Sequence, residues 1–458
     1  MREYTRELCH HLMGMTGEAI GAHALASTML AVQDFIGVSI AGSEKPESAI
    51  WRRYYRNKPS APAATVWGGG YEKVGVDQAA ARNAAAGHVM DLDDTHNASI
   101  AHLAAVTVPT ALALGESLHS SGRAVLEAVA AGYEAGAKIG ECINPEAYHF
   151  WHTTAVVGSF AAATVAARLL GLTEEELVHA FGSAGTQAAG LWEFLATGAM
   201  SKVLHTANAN LCGLRAAELA QLGFTGAPGI LEGERGFVRA LTTAPHWERL
   251  VDFSMGPEIA RNSLKAYACC RHTHAANDCL QGILRGERLD PASILSIEDR
   301  TYRTAISTTD NPRPATPYAA KFSLQFCLSA LVVWGRLDDG VFTDANLHDE
   351  RILTLMPKIR ISPDEEIERA FHCDPNRWPH ALTITLSDGR TLSGRVDYPL
   401  GDFNNAFNQP MEDDKFDRLV RKVDPVRAPI LQKRLHTLAD LSDVSTLFDF
   451  REEQCEHE

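Results

Sequence analysis

Paired cysteines are missing from this chain. Its nine cysteines are scattered, apart from adjacent Cys269 and Cys270, so it offers neither a zinc-type CxxC spacing nor a disulfide framework. That usage fits a reducing compartment, and a cytoplasmic location is expected. Positive charge is also short: 42 Lys and Arg stand against 57 Asp and Glu, for a formal net charge of −15. Nucleic acid and anionic membrane surfaces both need clustered positive charge, so neither is expected as a partner. No apolar run is read that approaches the roughly 18 residues of a membrane span. The opening "MREYTRELCHHLMG" lacks the basic-then-apolar layout of a secretion signal. No GxGxxG or Walker-type loop lies between a strand and a helix, which leaves a nucleotide role without support. Internal repeats and low-complexity tracts are absent too.

What is there is mostly helix. At 458 residues the chain has room for two or more domains. "ALASTMLAVQDFIGVSIAG" and "LAAVTVPTALALGESLH" are apolar on more than one face, as central helices of a bundle are. Thr173 with Glu176 three positions on reads as a capping box. Gly132, Gly136 and Gly140 recur every four residues, a stripe that lets another segment approach closely. After about residue 260 the pattern changes. "EDRTYRTAIS" and "KIRIS" read as short strands, and "ALTITLSDGRTLSGRV" as a hairpin turning at Asp388-Gly389. "YAAKFSLQFCLSALVVWG" reads as one helix between them, and the tail turns helical again. The expected fold is mainly α with a smaller α+β domain. A large helical domain would span 1–262 and 403–458, with an α+β lid domain at 263–402. A cleft between two such parts suits a small-molecule site.

The chemistry concentrates at helix ends. In "GHVMDLDDTH", residues 87–96, three aspartates come after an alanine-rich helical run. A helix C-terminus disfavours each carboxylate by roughly 0.3–1 kcal/mol. With the helix running through Met90, His88, Asp91 and Thr95 share a face, and Asp91 is expected to have a raised pKa. Asp94 or Thr95 is expected to cap the next element of the chain. His102, His152 and the Ser201-Lys202 pair, with His205 one turn later, each stand at the start of an apolar helix. That end favours anions, so cationic and titratable groups there suggest a pocket for a carboxylate-bearing ligand. A fourth cluster, "SLKAYACCRHTHAAND" at 263–278, supplies Lys265, Arg271, His272 and His274. Adjacent cysteines do not easily serve one tetrahedral zinc, and no Cys–His nucleophile signature is present. Anion binding and proton transfer by Lys265, Arg271 and a histidine fit better.

Six segments together resemble the MmgE/PrpD family. They are "GHVMDLDDTH", "GYEAGAKIG", "GSAGTQAAGLWEF", "GFTGAPGILEGERGF", "KAYACCRHTHAAND" and "PYAAKFSLQF", in the family's order. The resemblance implies a helical domain, an α+β lid, a homodimer and a cofactor-free site. It carries the active-site positions onto Asp91, Thr95, His102, His152, Lys202 and Lys265. Where relatives resembling the decarboxylase have a histidine, this chain aligns Cys270, leaving His272 or His274 to supply that function. Asp91, His102, His152 and Lys265 are the expected catalytic residues. Thr95, Lys202, Arg271, His272 and Tyr318 are expected to bind a di- or tricarboxylate. Lys321, one turn past Tyr318, reads as a solvated lysine. Dehydration of a hydroxy acid such as 2-methylcitrate is the first expectation, then epimerisation of a substituted succinate and decarboxylation of an aconitate-like acid. The rival classes are a metal-dependent hydrolase using Asp91, Asp93, Asp94 and His96, and a non-catalytic binding protein.

Overall fold

A computed structural model describes residues 2–284, 289–374 and 376–450. It is mainly α with a smaller α+β part. The helices that matter here are α1 (Gly17–Gly42), α2 (Val76–His88), α3 (Ala104–Leu118), α4 (Gly122–Ile143), α5 (Thr153–Leu170), α6 (Glu174–Gly185) and α7 (Ser201–Gln221). Further on come α8 (His274–Leu284), α9 (Leu324–Trp334) and α10 (Gln409–Val420). Four strands form one mixed sheet: β1 (Ile294–Thr301), β2 (Ile359–Pro363), β3 (His380–Leu386) and β4 (Thr391–Val396). Their order is β2-β1-β3-β4, with β1 and β2 parallel and the other pairs antiparallel.

Local chemistry accounts for most element ends. The capping box at Thr173 forms in both directions, with Glu176 N–H donating to Thr173 Oγ1 at 3.3 Å and Thr173 N–H to Glu176 Oε2 at 2.7 Å. The β3–β4 hairpin turns at Gly389, whose φ of 85° suits glycine. In two places the structure departs from the sequence reading. "EDRTYRTAIS" is not one strand: β1 ends at Thr301 and Arg303–Thr309 is a helix. The first N–H of that helix, from Arg303, donates to Glu368 Oε2 at 2.7 Å, a partner no local pattern reveals. The helix read at 318–335 is also broken. Pro317–Ala320 stops, Ser323 turns extended, and its Oγ accepts from Phe326 N–H at 3.1 Å to start α9.

The core has two main bodies. One fills the space among the first helices; the other runs from the ends of α2 and α7 through 267–280 to α9 and the sheet. Tail helix α10 packs on α1, and α8 packs on β3 and β4. Two helices, α1 and α5, are long and apolar enough to cross a membrane by length and composition, against the sequence reading, and both are mostly buried among other helices.

Glycines set how closely the site-bearing helices approach. A Cβ at Gly132 would stand 2.6 Å from Val165 of α5, and one at Gly140 2.6 Å from Ser99. The α4 stripe therefore seats both α5 and the loop leading to His102. At the α5–α7 crossing, a Cβ on Gly213 would meet Ala162 Cβ at 2.4 Å and the Ala163 nitrogen at 2.5 Å. The Gly213→Val variant should be destabilised by about 1–3 kcal/mol through overpacking, read as a fall in the urea midpoint at unchanged m-value.

Candidate functional site

Helix α2 ends at His88, earlier than the sequence suggests, and the next carbonyls are claimed by lysines. Met90 O accepts from Lys321 Nζ at 2.6 Å, Asp91 O from Lys265 Nζ at 2.9 Å and Leu92 O from Lys415 Nζ at 3.3 Å. Cations at the negative end of the helix dipole are favourable. They explain how three acids can stand at this end. Asp91 takes a left-handed backbone, φ 54°, which aspartate tolerates better than most residues. Its Oδ1 accepts from Lys265 at 2.6 Å and Lys202 at 3.2 Å, all three groups being buried. Burial drives the Asp91 carboxyl up, but the two ammonium charges outweigh it and hold it well below the usual range. The expected raised pKa is therefore corrected: Asp91 stays ionised. Lys321, expected in solvent, is buried and also bonds Ala268 O at 3.1 Å and Asp339 at 2.8 Å.

Asp94 is the expected cap. Its Oδ1 accepts from the Ala104 N–H at the start of α3 at 3.1 Å, and its Oδ2 from the Tyr133 hydroxyl of α4 at 2.6 Å. Burial pushes its carboxyl up to about 8. Thr95 does not cap the next element; its buried Oγ1 has no hydrogen-bond partner among the described residues.

Four histidines from distant stretches gather beside Asp91. The His88 and His102 rings stand 4.8 Å apart, His88 and His152 5.6 Å, and His152 and His205 5.3 Å. His88 Nδ1 lies 2.7 Å from Asp93 Oδ2. His102 Nδ1 lies 2.7 Å from the Asp94 carbonyl. A carbonyl only accepts, so Nδ1 carries the proton and His102 Nε2 keeps the lone pair. Burial lowers all four histidines, with Asp93 opposing it at His88 and His102, and puts His205 at about 4. They are neutral imidazoles at pH 7.

Several of these groups line a narrow cavity of about 20 Å³, room for little more than a water molecule, so the walls must part to admit a di- or tricarboxylate. Asp91, Thr95, His102, His152, Lys202, Arg271 and His272 all line it, with Ile100, Cys270, Tyr148, Trp192, Phe322 and Trp378 completing the wall. Lys265 lies behind Asp91. Tyr318, expected to bind substrate, stands outside the wall, its buried hydroxyl without a hydrogen-bond partner among the described residues. His272 stacks on Trp378 at 4.1 Å and bonds the Tyr302 hydroxyl at 2.6 Å; burial pushes it down to about 3. His274 turns away, toward Cys269 O and Arg271, so of the two histidines only His272 faces the cavity. The wall is rich in polar atoms that are buried without hydrogen-bond partners among the described residues: Asp91 Oδ2, Thr95 Oγ1, His152 Nε2, His272 Nε2 and Arg271 Nε and NH2, the last ion-paired with Asp402 Oδ2 at 3.6 Å.

Sequence reasoning passed over Tyr148, Trp192 and Trp378 as site residues, set His88 beside Asp91 without a role, and named Asp93 only for the rival hydrolase and Cys270 only as standing where relatives have a histidine. His205 carried a signal, three residues after Lys202 on one helix face. Trp378 carried none.

Two donor groups near the cavity have metal-like spacing, His88/His102/His152 and Asp91/Asp93/His102, each within 4.8 Å. A dication at either would meet the Lys202 and Lys265 ammonium groups. The expected hydrolase set does not assemble among the described residues: Asp94 caps α3, and His96 faces Glu258 at 3.1 Å.

Comparison with known proteins gives two adjoining family matches, the MmgE/PrpD N-terminal domain over residues 6–250 and the MmgE/PrpD C-terminal domain over 267–437. The chain is 27% identical to a cis-aconitate decarboxylase of Aspergillus terreus, over 97% of this chain and 95% of that one. It is 26% identical to the human cis-aconitate decarboxylase, over 91% and 88%. It is 27% identical to a mitochondrial 2-methylcitrate dehydratase of Yarrowia lipolytica, over 54% and 49%.

Asp91→Ala should cost about 3–5 kcal/mol, because it leaves two buried ammonium groups facing each other. Acid should also unfold the protein early. His88, His102, His152, His205, His272 and His274 all bind protons more weakly folded than unfolded. Below pH ~6.5 the unfolded chain takes up protons the native state refuses, so stability falls as pH drops toward 4, by up to about 1.4 kcal/mol per pH unit for each. Buried carboxyls with raised values, Asp94, Asp34 and Glu412 among them, offset part of this slope. Urea midpoints at pH 7, 6 and 5 check it.

Proposed function

The chain belongs to the MmgE/PrpD family, and from that premise we propose that it is a lyase acting on a small hydroxy di- or tricarboxylate such as 2-methylcitrate. In this reading it eliminates water by moving protons next to a carboxylate. The observation that carries the proposal is the wall of buried, unpartnered polar atoms. Such groups are costly unless something satisfies them, and their mix of guanidinium, imidazole and hydroxyl matches carboxylate and hydroxyl oxygens.

The roles follow from charge and tautomer. Arg271, whose NH2 lies 3.6 Å from the buried Asp402 carboxylate, offers Nε and NH2 to one substrate carboxylate. Lys202, already turned toward Asp91, offsets negative charge as it grows on a second. His102, neutral with its Nε2 lone pair fixed by the Asp94 carbonyl, is the base for the proton beside that carboxylate. His152, whose Nε2 is unpartnered, donates to the departing hydroxyl, which leaves as water. Asp91 holds Lys202 and Lys265 in place and carries no proton. Thr95 and His272 bond substrate oxygens.

Decarboxylation is the second reading, favoured by the near full-length similarity to cis-aconitate decarboxylases. The same clamps would hold the acid while CO2 leaves, and His152 would protonate the carbon left behind.

Incubation with 2-methylcitrate, cis-aconitate and iminodisuccinate in deuterated water separates the possibilities. A new alkene signal from 2-methylcitrate supports dehydration, and CO2 released from cis-aconitate supports the second reading. Solvent exchange into iminodisuccinate without net loss of water or CO2 points instead to epimerisation and overturns both. His102→Gln should lower kcat by about 10²–10⁴-fold on the active acid, with the fold intact by circular dichroism.

A further inference from the structure

His152 does not meet the cavity alone. Its Nδ1 lies 3.1 Å from Nδ1 of His205, on α7, a ring-to-ring contact that uses the nitrogen pointing away from the wall. His152 Nε2 is the nitrogen left unpartnered. The two rings differ in access: His152 is 1% exposed and His205 9%. The chain packs to keep them together. The glycines at the α5–α7 crossing bring the helices within backbone contact. Gly190 passes over the pair: its carbonyl accepts the His152 N–H at 3.0 Å, and a Cβ there would stand 3.3 Å from His205 Nδ1. Only glycine fits that φ of 152° and that gap.

We propose that His205 is a positioning residue and proton conduit for His152, joining the buried imidazole to solvent through the shared Nδ1–H···Nδ1 bond. Two facing Nδ1 atoms hold one proton between them, so neutral rings must adopt opposite tautomers. With the proton on His205 Nδ1, His152 bears its other proton on Nε2 and is an acid toward the cavity. When His152 Nε2 gives that proton up, its Nδ1 takes the shared one, and His205 Nε2 takes one from water. Both rings end neutral with their tautomers reversed. Run backward, the chain removes a proton from the cavity and releases one to water. Burial and the Lys202 ammonium, one turn away on α7, favour neutral rings; His88 from α2 and His102 before α3 also face the pair, with the apolar faces of Trp192 and Phe194 closing the side. Only the identity of the molecule receiving the proton rests on the proposed function; the pairing of the rings does not.

The test has two arms. In the first, histidine-selective 15N labelling of the full-length protein reads ring tautomers directly at pH 7. Opposite tautomers for His152 and His205, with His152 losing its fixed tautomer in His205→Phe, support the proposal. Two Nε2–H rings, or a His152 signal indifferent to His205→Phe, overturn it whether or not the enzyme reading stands. The second arm uses turnover of 2-methylcitrate or cis-aconitate, whichever reacts. Asparagine can hold a hydrogen bond to His152 but cannot relay a proton, so His205→Asn should lose at least about tenfold in kcat with KM within about twofold. Added imidazole should restore part of the rate to His205→Gly. Full activity in His205→Asn overturns the conduit. If neither acid turns over, the function falls while the labelling arm still decides the pairing.

Discussion

Three consecutive backbone carbonyls, at Met90, Asp91 and Leu92, each accept a lysine ammonium from a different part of the chain. Much of the structure depends on that arrangement. Lys321 comes from the turn before α9, Lys265 from the stretch joining the helical region to the sheet, and Lys415 from tail helix α10. None of these charges is comfortable in the interior alone. Lys415 is paired with Asp34 of α1 and Lys321 with Asp339, while Lys265 shares Asp91 with Lys202, so each cation has a counter-ion. The end of α2 thereby becomes the junction where early, middle and late segments meet.

That junction divides the labour at the cavity. Carboxylates near it are paired with cations, hydrogen-bonded or spent on structure: Asp91 by two lysines, Asp93 against the His88 imidazole, Asp94 on a helix start. The proton carriers left are imidazoles, which burial keeps neutral. A neutral base beside fixed positive charge suits chemistry in which negative charge builds on a substrate. Separating charge-holding from proton-carrying groups also fixes the tautomers of His88 and His102, whose Nδ1 atoms face oxygens that accept.

Much of this was legible in the sequence where the signal was local. The capping box at Thr173, the glycine stripe on α4 and the hairpin at Asp388-Gly389 all formed where read, because turn and cap chemistry acts within a few residues. The gathering of His102, His152 and Lys202 was legible from an electrostatic oddity, cationic or titratable groups at helix starts. What stayed hidden depended on distant partners. Asp91 looked like a group with a raised pKa until Lys202 and Lys265 arrived, from 111 and 174 residues away. Lys321 looked solvated because Met90 lies 231 residues off. The stacking of Trp378 on His272 leaves no trace in spacing.

Asp94 joins two jobs in one residue. Its side chain docks α3 against α4, while its main-chain oxygen decides which nitrogen of His102 is bare. Rigidity and reactivity are thus wired to a single position, and neither can drift without the other. Substitutions that loosen the scaffold there should surface first as altered chemistry, and attempts to re-tune the base will run into the architecture that supports it.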